Sequence, residues 1–439
     1  MTISYMPELE GMDLEARRDL QLERLRRLTD YVLERSSFYP PLLREAGVRA
    51  GSDISSLADL TRLPFTRKQA LRDGYPFELF CVPRQELVEI HASSGTTGNP
   101  TVVGYTAGDI QLWRMVMARS LAVAGATAED VIQNAYGYGL FTGGLGVHYG
   151  ALELGAAVVP MSSGGTVKQL KLMHDFQTTV ITCTPSYSLF MAEEARDMGY
   201  EPRSAPIRIG ILGAEPWSEN LRRAIEEAWD IIALDIYGLS EIIGPGVAQE
   251  CQAKQGLHVY SDVFFPEVID PESGQALPDG EPGELVITTL TKEALPLLRY
   301  RTGDIVTLDH SPCSCGRTTP RISRILGRTD DMLIIRGINV FPSQIEDVLL
   351  RVEEAEPHYH LLVDRIRGLD TLEVQVEVSE LVFSDEVRRL QELKNRIKRE
   401  IEGVLNLVVS VKLVEPRTIE RSMGKAKRVT DLRGQRENT

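Results

Sequence analysis

From residue 60 to about residue 300 the chain repeats one alternation, a short apolar run followed by a stretch with helical spacing. The runs are Val131 to Gln133, Ala156 to Pro160, Thr179 to Cys183, Ile207 to Leu212 and Ile231 to Asp235, with Thr166 to Asp175 and Ser218 to Ala228 carrying helical spacing between them. A strand that is apolar on both faces must be covered on both, and a helix joining two strands does this when the strands run parallel. The pattern predicts a layered α/β fold around a buried, largely parallel sheet. In such sheets ligands meet the chain at strand tips.

The flanks read differently. Residues 13 to 35 are expected to be helical, with Leu22, Leu25, Leu28 and Val32 on one stripe, and Pro40 and Pro41 interrupt the helical pattern beyond them. After Gly327-Arg328 the texture changes to strand (Met332 to Ile335), helix (Pro342 to Val352), strands (His358 to Val363 and Leu372 to Val378), a helix capped by Ser384 and running to Glu402, and a strand (Val408 to Leu413). Asp385 and Glu386 sit in the first turn of that last helix, where its dipole favours anions. The order β-α-β-β-α-β predicts a small ferredoxin-like α+β domain. Domains of 1–329 and 330–439 are drawn from this change of pattern.

With 439 residues the chain has room for more than one domain. Sixty-three acidic against 48 basic side chains leave a formal charge of −15, which disfavours nucleic acid or an anionic membrane as partner. No apolar run approaches the roughly 18 residues of a spanning helix. The opening MTISYMPELEGMDLEARRD has no basic-then-apolar leader, so a cytoplasmic protein is expected. Cys81, Cys183, Cys251, Cys313 and Cys315 are too few for a disulfide scaffold in so long a chain.

Between His91 and Thr106, HASSGTTGNPTVVGYT crowds glycine with hydroxyl residues. Glycine allows backbone N–H groups to close around an anion, and Ser93, Ser94, Thr96 and Thr97 add donors beside Gly95 and Gly98. The segment reads as a polyphosphate loop. It is not the P-loop of nucleotide hydrolases, because Asn99, Pro100 and Thr101 stand where that loop needs Lys and then Ser or Thr. A plain hairpin turn would use the same residues.

Further segments carry chemistry. In Asp235-Ile-Tyr-Gly-Leu-Ser-Glu241, at the end of an apolar run, Tyr237 offers a flat face to a base, Ser240 a hydroxyl to a phosphate and Glu241 a hard oxygen to Mg²⁺. Gly213-Ala214-Glu215 also follows a strand, and Asp304 of Thr302-Gly-Asp304 could accept from both hydroxyls of a ribose. Tyr136-Gly-Tyr-Gly-Leu-Phe-Thr-Gly-Gly-Leu-Gly146 interleaves aromatics with glycine, as a flat slot for a ring or a tight helix entry would. Gly327 to Gly337 spans the domain boundary and suits a segment whose backbone changes conformation, although a static turn would look the same. Near the C-terminus, Ser422-Met-Gly-Lys425-Ala-Lys-Arg428 puts a lysine beside a glycine. Cys251, His258, Cys313 and Cys315 make a Cys₃His set of the kind that holds structural zinc, although 55 residues separate its halves; free thiols and a histidine are the plain alternative.

The order SSGTTGNPT resembles the phosphate-binding loop of the adenylate-forming superfamily, which holds acyl-CoA synthetases, luciferases and nonribosomal-peptide adenylation domains. Most members carry Lys after the Pro. Thr101 departs from that pattern, as does the phenylacetate-CoA ligase branch. The remaining segments resemble the family in the same order, from about Leu63 to Arg433.

The resemblance implies a large N-terminal adenylate-forming α/β domain and a mobile C-terminal lid hinged at Asp330. It implies nucleotide contacts from Ser93, Ser94, Gly95, Thr96, Thr97, Gly98, Gly213, Ala214, Glu215, Asp235, Ile236, Tyr237, Gly238, Ser240, Asp304 and Arg328. Tyr237 would stack on adenine, Ser240 bind the α-phosphate, Glu241 bind magnesium and Asp304 hold the ribose. An aryl pocket would be lined by Tyr136, Phe141, Gly213, Ala214, Ile236 and Pro245. Gly337 would line the thiol tunnel, and Lys425, rather than Lys427, would bridge carboxylate and α-phosphate.

The implied activity is that of an AMP-forming aryl-acid:CoA ligase of phenylacetate-CoA ligase type, serving aromatic acid catabolism. Its small-molecule partners would be an aryl carboxylate, ATP and coenzyme A, with Mg²⁺ and a structural Zn²⁺. A competing reading is an adenylating enzyme that passes the acyl group to a carrier-protein thiol or an amine. A zinc-stabilised binding module without catalysis is a third, and a homodimer stays open.

Overall fold

The computed structural model describes residues 5–92, 99–329, 333–336, 338–352, 354–366, 369–379, 382, 387–421 and 428–433. The chain divides into two compact units. The larger holds Met1–Cys183, Ala205–Ala214 and Ile232–Arg324, and the second holds Thr184–Ser204, Glu215–Ile231 and Ile325–Thr439.

In the larger unit the expected helix near the N-terminus runs Leu14–Arg35. It begins where the Asp13 carboxylate accepts from the backbone N–H groups of Glu15 and Ala16, both at 3.0 Å. Leu25, Leu28 and Val32, spaced to share one face, are buried with Tyr39, Leu43, Ile54 and Leu60. Each such side chain stabilises the unit by roughly 1.5–3 kcal/mol relative to exposure.

The apolar runs do become a sheet. Nine described strands lie in the order Leu308–Asp309, Arg321–Ile322, Leu257–Val259, Gly244–Glu250, Ile232–Leu239, Ile209–Gly213, Val180–Cys183, Val131–Asn134, Ala157–Val159. The last five pair in parallel and the rest are antiparallel; the parallel strands Val180–Cys183 and Ile209–Gly213 are buried throughout. The helix Thr166–Asp175 falls on its expected residues. A further antiparallel sheet carries Phe264–Ile269, Gly283–Thr289 and Tyr300–Val306.

In the second unit, strands Ser410–Val414, Leu369–Val378, Ala355–Ile366 and Val429–Asp431 form a sheet in that order. The helix Val387–Leu405 presents Leu393, Ile397, Ile401 and Leu405 every four residues to a core shared with Ile345, Val348 and Leu349 of the helix Pro342–Leu349. Alternate strand residues Leu361, Val363, Leu372, Val374 and Val376 complete that core. One expectation is corrected here. The first strand expected of this sheet, now Leu333–Ile335, pairs instead with Ile338–Val340 in a hairpin of its own. The strand Val429–Asp431, which the pattern did not suggest, completes the sheet by running parallel to Ala355–Ile366. Ser384, Asp385 and Glu386 lie outside the described residues.

Candidate active site

The strand Ile232–Leu239 carries the densest chemistry. Its pairing with Gly244–Glu250 slips between Tyr237 and Gly238, an irregularity that bends a strand and re-aims its side chains. Tyr237 is buried there, and its hydroxyl donates to Asp304 Oδ2 at 2.7 Å. The residue expected at the base and the residue expected at the ribose are thus joined by a short, charge-assisted hydrogen bond. Thr302 Oγ1 accepts from the Asp304 backbone N–H at 3.0 Å and fixes the turn. Asp235 is buried behind them: Glu250 accepts from its N–H and its carbonyl accepts from Gln249, both at 3.0 Å.

Past the strand end, Ser240 Oγ lies 3.0 Å from Thr142 Oγ1. Glu241 is 5 % exposed, and Lys68 Nζ stands 3.4 Å from its Oε1. A second cation, Lys292, is 2 % exposed; its Nζ donates to the Glu241 carbonyl at 3.3 Å and sits 5.0 Å from the Tyr105 ring centre. Burial pulls the Lys292 ammonium down to about 8, partly offset by Asp109 and Glu241. Lys68 thus faces the carboxylate expected to bind a divalent cation, and Lys292 the backbone carbonyl of the same residue.

Behind this corner lies an aromatic floor. Tyr105 and Trp113 stack at 4.9 Å, the Tyr105 hydroxyl donates to the Ile243 carbonyl at 3.0 Å, and Trp113 Nε1 donates to the Pro245 carbonyl at 3.0 Å. The backbone just after Glu241 is thereby fixed at two points. Gly244, at φ 100°, lies against Trp113 and Thr142, where a side chain would be both strained and crowded.

Gly213 and Ile236 are register partners on adjacent parallel strands, and a Cβ on Gly213 would run into the Ile236 carbonyl. Ala214 follows at φ 70°, a left-handed conformation that costs a residue with a Cβ about 1–2 kcal/mol. Strain of this kind collects at functional sites. Glu215 belongs to the second unit, where its Oε1 accepts from Ser186 N–H at 2.8 Å. Arg328 is half-buried in that unit, on the short strand Gly327–Arg328. Of the other pocket candidates, Tyr136 and Ile236 are buried, whereas Phe141 is 53 % exposed as it caps the helix Thr142–Leu154.

A separate cluster in the larger unit gathers the thiols. Strand pairing of Leu257–Val259 with Arg321–Ile322 closes the long gap in sequence. The ligand atoms of Cys251, His258, Cys313 and Cys315 all fall within 4.8 Å of one another. Cys251 and Cys313 sulfurs are 3.8 Å apart, and Cys315 Sγ is 3.4 Å from His258 Nε2. A tetrahedral zinc at Zn–S of about 2.3 Å and Zn–N of about 2.05 Å would set these edges at roughly 3.8 and 3.5 Å. Thr319 Oγ1, 2.9 Å from His258 Nδ1, orients the ring with Nε2 toward the sulfurs. Burial pushes the Cys251 thiol up to about 12; it opposes ionisation of Cys315 too, but His258 and Arg317 outweigh it there and hold that thiol at about 5.

Ser93 to Gly98, Asp330, Gly337, Lys425 and Lys427 lie outside the described residues. Lys68, Thr142 and Lys292 were not singled out from sequence. A single lysine at the first position of a short helix, or between two strands, leaves no periodic trace. The available signal was the absence of a lysine at Thr101, which required a cation from elsewhere.

Residues 44–291 match a family model described as AMP-binding enzyme, and residues 337–433 match the AMP-binding enzyme C-terminal domain. The chain is 53 % identical over 443 residues to a phenylacetate-coenzyme A ligase of Thermus thermophilus, covering 98 % of this chain and 99 % of that one. It is 47 % identical over 435 residues to a phenylacetate-coenzyme A ligase of Escherichia coli K12, covering 99 % of each. Among solved structures it is similar to 2-hydroxyisobutyryl-CoA ligase in the postadenylation state in complex with R3-HIB-AMP. The TM-score is 0.92 at 28 % identity, over 98 % of this chain and 93 % of that one. Among the described residues no helix is long and apolar enough to cross a membrane. The chain belongs to the AMP-binding, adenylate-forming enzymes, and within them to the phenylacetate-coenzyme A ligase family.

Proposed function

We propose that this protein is an AMP-forming aryl-acid:CoA ligase acting on phenylacetate. The observation that carries the reading is the bonded pair Tyr237–Asp304 beside Ser240 and Glu241, in a chain 47–53 % identical to ligases of that name.

A carboxylate is a poor acyl donor because its oxygen leaves badly. Attack of the carboxylate oxygen on the α-phosphorus of ATP expels pyrophosphate and makes a mixed anhydride whose leaving group is AMP. A thiol of coenzyme A then attacks the carbonyl carbon, the carbon–oxygen bond to AMP breaks, and the thiol proton goes to solvent. No protein nucleophile is required.

In this reading Tyr237 stacks on the adenine and Asp304 accepts from the ribose hydroxyls. Ser240 donates to the α-phosphate, and the loop Ser93 to Gly98 wraps the β- and γ-phosphates. Two anions must approach for the first step, and cations aimed at the developing charge lower its barrier. Lys425 supplies one such charge, and Lys68, whose Nζ lies 3.4 Å from Glu241 Oε1, is assigned the part of the lysine that Thr101 replaces. Glu241 would hold Mg²⁺, which neutralises phosphate charge when bound. The aryl ring occupies the slot of Tyr136, Phe141, Gly213, Ala214, Ile236 and Pro245. The lid from 330 onward turns about Asp330 and brings Gly337 to the thiol path. Cys251, His258, Cys313 and Cys315 would hold a Zn²⁺ that fastens four loop and strand ends, a structural task away from the chemistry.

ATP–pyrophosphate exchange tests the acid specificity with phenylacetate, hydroxyphenylacetates, benzoate and a fatty acid. Exchange confined to arylacetates is expected; equal exchange with the fatty acid contradicts an aryl slot. The reading carries with it a cytoplasmic setting, and light scattering decides between monomer and homodimer.

A further inference from the structure

Asn134 ends the strand Val131–Asn134, just before the aromatic and glycine segment Tyr136 to Gly146, and its side chain is fully buried. Both donors and both lone pairs of its amide are used. Nδ2 donates to the Gly144 carbonyl and to the Tyr138 hydroxyl, each at 2.7 Å. Oδ1 accepts from the Tyr136 N–H at 3.2 Å and from the Thr182 hydroxyl at 2.9 Å. A backbone N–H can only donate and a carbonyl can only accept, so these partners fix which way the amide points. Thr182 is the register partner of Asn134 on the adjacent parallel strand Val180–Cys183, and the sheet therefore holds the amide that holds the segment.

We propose that Asn134 is a positioning residue for the acid: its amide keeps the segment Tyr136 to Gly144 in the shape that receives the aryl ring. This rests on the slot assigned to Tyr136 and Phe141 above.

One side chain binds the segment at both ends, at the N–H of Tyr136 and the carbonyl of Gly144. The chain closes tightly there, since a Cβ on Gly144 would stand 2.5 Å from the Gly137 carbonyl. Midway, the Leu140 carbonyl accepts from the Ala92 N–H at 3.2 Å. The Tyr138 hydroxyl, which accepts from Asn134, lies 3.3 Å from His148 Nδ1 on the helix Thr142–Leu154. Burial holds the His148 imidazole below its ordinary value, so a neutral ring can accept the hydroxyl proton. Leu140 and Phe141 are 64 % and 53 % exposed, and burial of their side chains does not hold the turn. The hydrogen bonds do, and those of Asn134 are shielded from water, where losing a partner costs most. A ring slot discriminates by small differences in fit: one methylene changes specificity about 10- to 200-fold.

The test reads KM for phenylacetate and KM for ATP separately, by ATP–pyrophosphate exchange, in Asn134→Asp and Tyr138→Phe. Asp keeps the shape of the side chain and sets an oxygen against the Gly144 carbonyl, whereas Phe keeps the ring and removes the hydroxyl. KM does not depend on how much of the enzyme is folded, so a residue that serves stability alone leaves it unchanged. In Asn134→Asp, KM for phenylacetate is expected to rise about 10- to 100-fold with KM for ATP within about 3-fold of wild type. Tyr138→Phe is expected to raise KM for phenylacetate about 3- to 10-fold, the worth of one neutral hydrogen bond, and it decides the matter if Asn134→Asp does not fold. An unchanged KM for phenylacetate in both variants overturns the proposal, even if the thermal midpoint falls; so does a rise in KM for ATP as large as that for the acid. Tyr136→Ala and Phe141→Ala, run in parallel, separate the premise. If neither raises KM for phenylacetate, the slot itself is misassigned; if they raise it and the Asn134 and Tyr138 variants do not, Asn134 serves the fold alone.

Discussion

Removing the Tyr237 hydroxyl tests the nucleotide corner with one atom. Tyr237→Phe keeps the ring that would stack on adenine and deletes the donor 2.7 Å from Asp304 Oδ2. Both residues are buried, Tyr237 at 8 % and Asp304 at 3 % exposure, so water does not readily replace the lost partner. A hydrogen bond to a charged group contributes about 1.5–3 kcal/mol. The lower end applies here, because relieving the hydroxyl of its own burial offsets part of the loss. If that bond holds the Asp304 carboxylate toward the ribose, about 1.5 kcal/mol appears as an ATP dissociation constant raised roughly 10-fold. Calorimetric titration of ATP, together with pyrophosphate release at varied ATP, measures it; kcat should stay within about 3-fold, since the hydroxyl is assigned to the nucleoside end of ATP and not to the reacting phosphate. Unchanged ATP affinity alongside a lowered unfolding midpoint would refute the reasoning, leaving Tyr237–Asp304 as a structural bridge.

Lys68→Ala removes the cation 3.4 Å from Glu241 and should lower kcat for pyrophosphate release by on the order of 10²-fold, with KM for the acid little changed; an unaltered kcat refutes its role as the substitute for the lysine absent at Thr101. Elemental analysis should find one zinc per chain. It should be lost in Cys313→Ser, with a lower thermal midpoint but exchange activity retained at about 20 °C; a metal-free wild type refutes the site. Burial, reinforced by Glu215 and Asp347 and opposed by Arg428 and the Ser218 N–H, pushes Glu346 up to about 7. Between the ordinary value of 4.5 and 7 the folded chain keeps a proton that the unfolded chain has released, so this group makes stability fall as pH rises through that window. Wild type minus Glu346→Gln in denaturant-derived stability should therefore decline from pH 4.5 to 7 and level off above; a flat difference refutes the shift.

Much of the larger unit was legible because its strands are apolar throughout and its helices have clear spacing, as with Val180–Cys183 and Thr166–Asp175. The small sheet was less so. Leu333–Ile335 has strand composition, but local hairpin pairing with Ile338–Val340 takes it out of the sheet, and Val429–Asp431 has a single apolar residue to announce it. Residue types at the site were legible as motifs, yet the Tyr237–Asp304 bond joins positions 67 apart and depends on how the two sheets meet. The zinc set shows the same limit: its ligands were identifiable by type, while their proximity comes from the pairing of Arg321–Ile322 with Leu257–Val259. Lys68 and Lys292 gain meaning only from burial and distance.

The most direct measurement is the product balance with phenylacetate and ATP, with CoA present and absent. Equimolar phenylacetyl-CoA, AMP and pyrophosphate, formed in multiple turnovers only when CoA is supplied, is the predicted result. Pyrophosphate release without thioester, or thioester formed on a carrier protein in preference to CoA, would contradict the assignment of the acceptor, and formation of ADP would contradict adenylation itself.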